Sequence, residues 1–345
     1  MTALLPFATA PLAMALAVLL PVGSANQAQA IPPRYYGVNL ASAEFGPDKV
    51  PGLAGRDYIY PTAKTAAPFR AMGMNSVRLP VLWERLQHKA NGPLDPAELA
   101  RLDASIADLA GFQQVIIDVH NYARYQGKLL SRSDGNATAL PDLWSRLATH
   151  FKNRPQVAFG IMNEPWKIEA GEWRLIAEDT VAAIRRTGAR NLVLVPGTRW
   201  SGGHSWYAGG NDSNAAALSA FKDPGGNFAF EIHQYLDHDS SGSHSCSGPK
   251  VARARLEGVT RWLRQQNAKA VLGEFGGDQT ATCLAALDDM LGYLRANGDV
   301  WIGWNYWAAG DWWGDYPYGI QPSADGKDKP QAAVLRRHIA SYRKP

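Results

Sequence analysis

Short apolar runs, rich in β-branched and aromatic residues, recur along the chain at residues 35–39, 76–79, 115–119, 159–162, 192–195, 228–232, 270–272 and 300–304. Most are too short for helices. Their lack of polar alternation marks strands buried on both faces. Between them lie stretches with apolar residues at helical spacing. Leu99, Leu102, Ile106 and Leu109 share one face, and residues 142–151, 173–184, 251–263 and 283–294 follow the same rule. Eight strands alternating with helices predict an α/β fold, a (β/α)8 TIM barrel. The alternative is a doubly wound sheet, which usually carries a Gly-rich phosphate turn after its first strand. Here that turn would be Asn39-Leu40-Ala41-Ser42, which holds no glycine. No Ser/Thr/Pro-rich linker interrupts the pattern, so residues 31–345 read as one catalytic-sized domain without an appended binding module.

The first thirty residues break the pattern. They carry no charged side chain, and an apolar run over 11–22 is followed by Gly23, Ser24 and Ala28-Gln29-Ala30. That small-x-small ending predicts a signal peptide over 1–30, cleaved before Ile31, and hence a secreted protein, periplasmic or extracellular. The run is short for a membrane span and has Pro11 and Pro21 at its ends, so no membrane association is expected after cleavage. Export would also permit a Cys246–Cys283 disulfide.

Hydrophobic residues make up 46% of the chain and charged residues 19%, which excludes disorder as the main state. The net charge of +4 is scattered rather than clustered, so no nucleic-acid partner is expected. With two cysteines and no CxxC pair, a zinc ribbon or thioredoxin-like centre is excluded. Twelve tryptophans are unusual, and many fall in or beside predicted βα loops: Trp83, Trp166, Trp200, Trp206, Trp307, Trp312 and Trp313. Indoles there suit the apolar C–H faces of sugar rings. Trp144, Trp173 and Trp262 fall in predicted helices and read as core. Of the four tryptophans in 304–313, two are expected to touch substrate and two to pack.

A barrel of this kind carries its site at the carboxyl ends of its strands. The polar residues expected there are Asn39, Arg78, His120, Asn121, Asn163, Glu164, His233, Tyr235 and Glu274, with Trp307. Glu164 and Glu274 directly follow the fourth and seventh runs, nearly opposite across a barrel. Two carboxyls facing each other over a cleft are what glycoside hydrolysis requires, one protonated and one ionised. On the residues alone, capping or Arg pairing explains each equally well. Glu231 points inward two residues deeper, where a charge needs a buried partner, and reads as structural. His120 and His233 with two glutamates resemble a metal set, but the closely spaced pairs of metal sites are missing. No metal and no cofactor are expected.

Together the motifs resemble glycoside hydrolase family 5. They are Tyr36-Gly37-Val38-Asn39, Asn75-Ser76-Val77-Arg78-Leu79-Pro80, Asp118-Val119-His120-Asn121-Tyr122-Ala123-Arg124 and Phe159-Gly160-Ile161-Met162-Asn163-Glu164-Pro165. After them come His233-Gln234-Tyr235-Leu236-Asp237, Gly273-Glu274-Phe275-Gly276 and Trp307-Ala308-Ala309-Gly310. The subgroup resembled is the endo-β-1,4-glucanases shared by fungi and some bacteria. The resemblance implies Glu164 as acid/base, Glu274 as nucleophile, and double displacement with retention on a β-glucan, by an enzyme expected to be a monomer. It implies that Arg78 bonds Glu274, that Tyr235 lies close to Glu274 and bonds it or the sugar ring oxygen, that His120, Asn163 and His233 position the sugar and carboxylates, and that Trp307 floors the cleavage subsite. It also implies that Cys246 pairs with Cys283. The loop over 41–60 lacks the cysteines of fungal relatives, so a looser rim is expected there. A β-mannanase, a xyloglucanase or a non-catalytic sugar-binding barrel remains as an alternative.

Overall fold

The computed structural model describes residues 1–2 and 32–342. The predicted signal peptide thus lies, apart from its first two residues, outside the described residues. Eight parallel strands close into a barrel. They are β1 (Tyr35–Leu40), β2 (Ser76–Val81), β3 (Gln114–Val119), β4 (Val157–Gly160), β5 (Val193–Pro196), β6 (Phe228–His233), β7 (Ala270–Glu274) and β8 (Trp301–Ala309). Neighbours in sequence pair in order, and β8 closes on β1 through the register Tyr36 to Trp304 and Gly37 to Asn305.

A helix follows each strand: α1 (Ala63–Met72), α2 (Pro96–Asp108), α3 (Ala139–Phe151), α4 (Ala170–Arg186), α5 (Asn214–Leu218), α6 (Val251–Gln265), α7 (Ala281–Ala296) and α8 (Pro330–Tyr342). Five of these match the helices read from apolar spacing. The others were not legible that way: α1 carries Pro68 inside it and α5 has only five residues. Local chemistry sets several starts. Thr62 makes a capping box with Thr65, the Asp95 carboxylate accepts from the Glu98 N–H, and the Thr280 hydroxyl accepts from the Cys283 N–H.

Strand alternation splits the core in two. Leu79, Val81, Val115, Ile117 and Phe159 face outward into the shell between sheet and helices. Ile116, Ala158, Leu194, Ala229 and Val271 form a separate small cluster that plugs the barrel interior. The helix tryptophans anchor the shell, as their positions suggested. Trp144 Nε1 donates to the Ile161 carbonyl at 2.9 Å, Trp173 Nε1 to Pro196 at 2.7 Å and Trp262 Nε1 to Ala215 at 3.0 Å. Above the apolar plug the interior turns polar. Asp118 lies two residues past Ile116 and Glu231 two past Ala229, on the same sides of their strands, so charged side chains form the next layer toward the carboxyl ends of the strands.

Candidate active site

Arg78 is the centre of that layer. It is fully buried, and its guanidinium lies 3.1 Å from Asp118, 2.6 Å from Glu231 and 2.8 Å from Glu274. It also donates to Asn39 Oδ1 at 3.0 Å and to Asn163 Oδ1 at 2.8 Å. The planar fork of Arg allows this many bonds at once, where a Lys ammonium offers only a point charge. Burial opposes the charged form of Arg78, but Asp118, Glu231 and Glu274 outweigh it and hold the side chain cationic.

Glu274 ends β7. Its Oε1 accepts from Arg78 and its Oε2 from the Tyr235 hydroxyl at 2.8 Å. Burial alone would raise its pKa, but His233, Arg78, His120 and the Tyr235 hydrogen bond bring it below the ordinary glutamate value. Glu164 follows β4 and is kept differently. Burial raises its pKa, the hydrogen bond from His233 opposes, the Glu274 charge adds to the rise, and the balance lies above the ordinary value. Its backbone sits at φ 41°, a left-handed conformation rare for a side-chain-bearing residue. The flanking backbone is pinned: the Asn163 N–H donates to the Val119 carbonyl at 2.7 Å and the Tyr122 N–H to the Asn163 carbonyl at 3.0 Å.

His233 links the two carboxyls. Its Nδ1 lies 2.7 Å from Glu164 and 3.6 Å from Glu274, and its Nε2 lies 3.3 Å from Glu231. Burial would depress its pKa, yet Glu274, Glu164 and Glu231 together push it up to about 10. Glu231 is held ionised, burial notwithstanding, by Arg78 and His233. That supplies the buried partner its depth demanded. His120 Nδ1 bonds Asp118 at 2.8 Å, and its ring stacks on Trp307 at 5.7 Å between centroids. Asn163 Nδ2 lies 3.2 Å from His120 Nε2. Atoms of Glu164, His233 and Glu274 lie within 4.8 Å of one another, close enough for a metal. Both Glu274 oxygens, however, are engaged with Arg78 and Tyr235, and Glu164 Oε1 with His233 Nδ1.

The residues named from sequence divide into two groups. His120, Asn163, Glu164, His233, Tyr235, Glu274 and Trp307 line a cleft of about 960 Å³. Arg78 and Asn39 lie beneath it. Asn39 Nδ2 donates to the Gly273 carbonyl at 2.9 Å and to Asn305 and Tyr306 at 3.2 Å, bracing β1 against β7 and β8. Asn121 takes no part in the cleft, because it caps the short helix Trp83–Leu86 through the Trp83 N–H and bonds Glu84.

Two tryptophans are corrected. Trp83 is fully buried against Tyr125 and donates to Gln87, and Trp206 is fully buried between Phe230 and Trp262. Both loops fold back on the shell, so neither indole reaches a ligand. Strand β8 runs to Ala309, so Trp307 stands on the strand itself. Trp304 packs in the core, whereas Trp307 and Trp313 line the cleft and Trp312 lines its extension. Sequence reasoning missed Asp118, Tyr316 and Tyr318. Asp118 has the same strand parity as His120 and was findable on that ground. The two tyrosines sit in an irregular loop that no periodicity marks. The Cys246–Cys283 disulfide is present and ties the loop after β6 to the first turn of α7.

Comparisons with known proteins agree with this arrangement. The family model for cellulase (glycosyl hydrolase family 5) matches residues 37–310. Endoglucanase gh5-1 of Neurospora crassa is 35% identical over 293 residues, covering 84% of this chain and 73% of the relative. A probable endo-beta-1,4-glucanase B of Aspergillus niger is 33% identical over 309 residues, covering 89% and 90%. Among solved structures, XacCel5A in complex with cellopentaose is 50% identical with a TM-score of 0.87, covering 89% of this chain and 99% of that one. The endo-beta-1,4-glucanase Xac0029 of Xanthomonas axonopodis pv. citri is 46% identical with a TM-score of 0.88, covering 90% and 100%. With the family model spanning all eight strands and the charged layer beneath the cleft, the chain belongs to the cellulases of glycosyl hydrolase family 5.

Proposed function

We propose that the protein is a retaining endo-β-1,4-glucanase in which Glu274 is the nucleophile and Glu164 the acid/base. The observation that carries this reading is the opposed poise of two neighbouring carboxyls. Glu274, between Arg78 and Tyr235, is held ionised, while Glu164 is held toward the protonated form. One oxygen of each lies within 4.8 Å of the other, which supports the close spacing of about 5–5.5 Å between carboxyl groups in retaining enzymes rather than the wider gap that admits a water.

In the first step a Glu274 oxygen attacks the anomeric carbon. The glycosidic C–O bond breaks and its oxygen takes the Glu164 proton. Once Glu274 is an ester its charge is gone, and with it one of the causes that raise the Glu164 pKa. Glu164 is then a carboxylate next to the His233 imidazolium. It accepts a proton from water as the water oxygen attacks the same carbon, and Glu274 leaves as a carboxylate. Asn163, between Arg78 and His120, is placed to bond the sugar 2-hydroxyl, and the Trp307 indole supports the ring above it.

An internal point of cleavage fits an open groove. The 960 Å³ cleft and a second cavity of about 660 Å³ share His120, Tyr122 and Trp307, so one path runs from Trp200 at one end to Trp312 at the other. The uncharged apolar run over 11–22 and the Ala28-Gln29-Ala30 ending after it support a cleaved leader and export. Among the described residues, no helix is long and apolar enough to cross a membrane.

The test is product release from carboxymethyl-cellulose, β-mannan and xyloglucan by wild type and Glu274→Gln. Activity greatest on carboxymethyl-cellulose and abolished in the variant is expected. Activity greatest on mannan or xyloglucan would keep the carboxyl pair and overturn the substrate. A fully active variant would overturn the mechanism.

A further inference from the structure

The loop between β6 and α6 leaves three side chains outside the catalytic arrangement. His238, Asp239 and His244 are all exposed, and one donor atom from each lies within 4.8 Å of the other two. The imidazole rings are 5.0 Å apart between centroids. Among the described residues neither ring engages in a hydrogen bond, and the sole ion pair is the 3.9 Å approach of His238 Nε2 to Asp239 Oδ2. The other Asp239 oxygen accepts from the Ser241 N–H at 3.2 Å, which orients the carboxylate and leaves Oδ2 available.

The backbone presenting these donors is fixed by contacts that use none of them. The buried Asp237 carboxylate accepts from the N–H groups of Gly242, Ser243 and His244 and from the Ser241 hydroxyl. Arg255 donates to the Tyr235 and Asp237 carbonyls, and the Tyr318 hydroxyl to the His244 carbonyl. The disulfide at Cys246 closes the loop. Residues 238, 239 and 244 are thus brought together before any ion arrives, and only side-chain rotation remains. Donors around a tetrahedral ion at about 2.0–2.2 Å lie roughly 3.4 Å apart, so the three atoms need to move inward by about 1 Å. Exposed side chains make that adjustment freely.

We propose that His238, Asp239 and His244 form a site for a divalent late first-row transition metal, with Zn2+, Cu2+ and Ni2+ as the matching ions. Two imidazoles and one carboxylate suit these ions and disfavour Ca2+ and Mg2+, which take oxygen sets. The site is distinct from the Glu164–His233–Glu274 group, yet Asp239 and His244 stand in the wall of the same cleft. An ion bound there would therefore sit beside the path of the glycan.

The test is calorimetric titration of chelator-stripped protein with Zn2+, paired with Cu2+ electron paramagnetic resonance. Wild type and Glu274→Gln are expected to bind one equivalent equally. His238→Ala and His244→Ala are expected to weaken binding by at least about tenfold. The Cu2+ spectrum should show two coordinated nitrogens in wild type and one in each histidine variant. No saturable binding by wild type, unchanged binding in both histidine variants, or binding lost in Glu274→Gln would each overturn the proposal. These readouts do not depend on hydrolysis, so the proposal stands or falls apart from the glucanase reading.

Discussion

The floor beneath Glu164 and Glu274 and the rim of the groove are built from different interactions. On the floor Arg78, Asp118, Glu231, His233 and Glu274 are almost fully buried, and each charge meets at least one opposite charge. On the rim Trp200 is 45% exposed and Trp312 39% exposed, and the close contact there is ring on ring: Trp166 stacks on Trp200 at 3.6 Å. Buried charges tolerate little change, because removing one strands the others in a low-dielectric interior. Exposed aromatic faces can be exchanged at modest cost. If Glu164 and Glu274 act as proposed, the floor sets the reaction and the rim is where glycan preference can vary.

The hardest test of this contrast is Arg78→Ala. It leaves Asp118, Glu231 and Glu274 buried without their shared cation. Breaking one buried pair costs about 3–5 kcal/mol, and here one substitution breaks three. The expected outcome is a protein that unfolds at far lower urea or fails to fold. Arg78→Lys keeps the charge without the fork and is expected to fold with a severely reduced kcat. Near-native urea stability in Arg78→Ala would show that water reaches the floor and would erase the distinction from the rim.

Glu44 sits where floor and rim meet, in the loop after β1, beside His120 and Trp312. Its Oε2 reaches no hydrogen-bond partner, and burial pushes its pKa up to about 7, against the lowering influence of His120. Between about pH 4.5 and 7 the folded protein thus keeps a proton that the unfolded chain has released. Stability falls as pH rises through that window and is level above it. Glu44→Gln removes the penalty, on the order of 3 kcal/mol at pH 7. Urea unfolding of wild type and variant should agree near pH 4.5, and the variant should gain steadily toward pH 7. Parallel curves would show that Glu44 is solvated and belongs to the rim.

The floor was legible because strands alternate. Once residues 228–232 read as a strand, Glu231, His233 and Tyr235 fall on one side and point inward together. The need of Glu231 for a buried partner was likewise readable, but its identity was not. Arg78 lies 153 positions earlier in the sequence, and only closure of the barrel brings β2 across to β6 and β7. The rim was read less well for a related reason. Loop position does not fix exposure: Trp206 turns back onto Trp262 and Trp83 onto Tyr125. Tyr316 and Tyr318 reach the cleft from a loop whose path obeys no period. Hydrophobic pattern fixes which way a strand residue points, but a loop residue points wherever packing sends it.

That difference makes Trp200→Ala the mildest and most specific test. The indole is exposed, lines the cleft and is backed by Trp166, so its loss removes a sugar-facing surface without opening a core cavity. Stacking of this kind contributes about 0.5–1.5 kcal/mol, equivalent to roughly a 2- to 12-fold change in affinity. The expected result is a KM for cellopentaose raised within that range, with kcat and urea stability unchanged. A glycan too short to reach Trp200 should show no change. A fall in kcat with KM unchanged would instead mean that Trp200 acts on the transition state through the loop carrying Glu164, whose Pro165 carbonyl accepts from the Trp200 N–H at 3.3 Å. In that case rim and floor would be one mechanical unit, and glycan preference could not be altered at the rim without altering the chemistry.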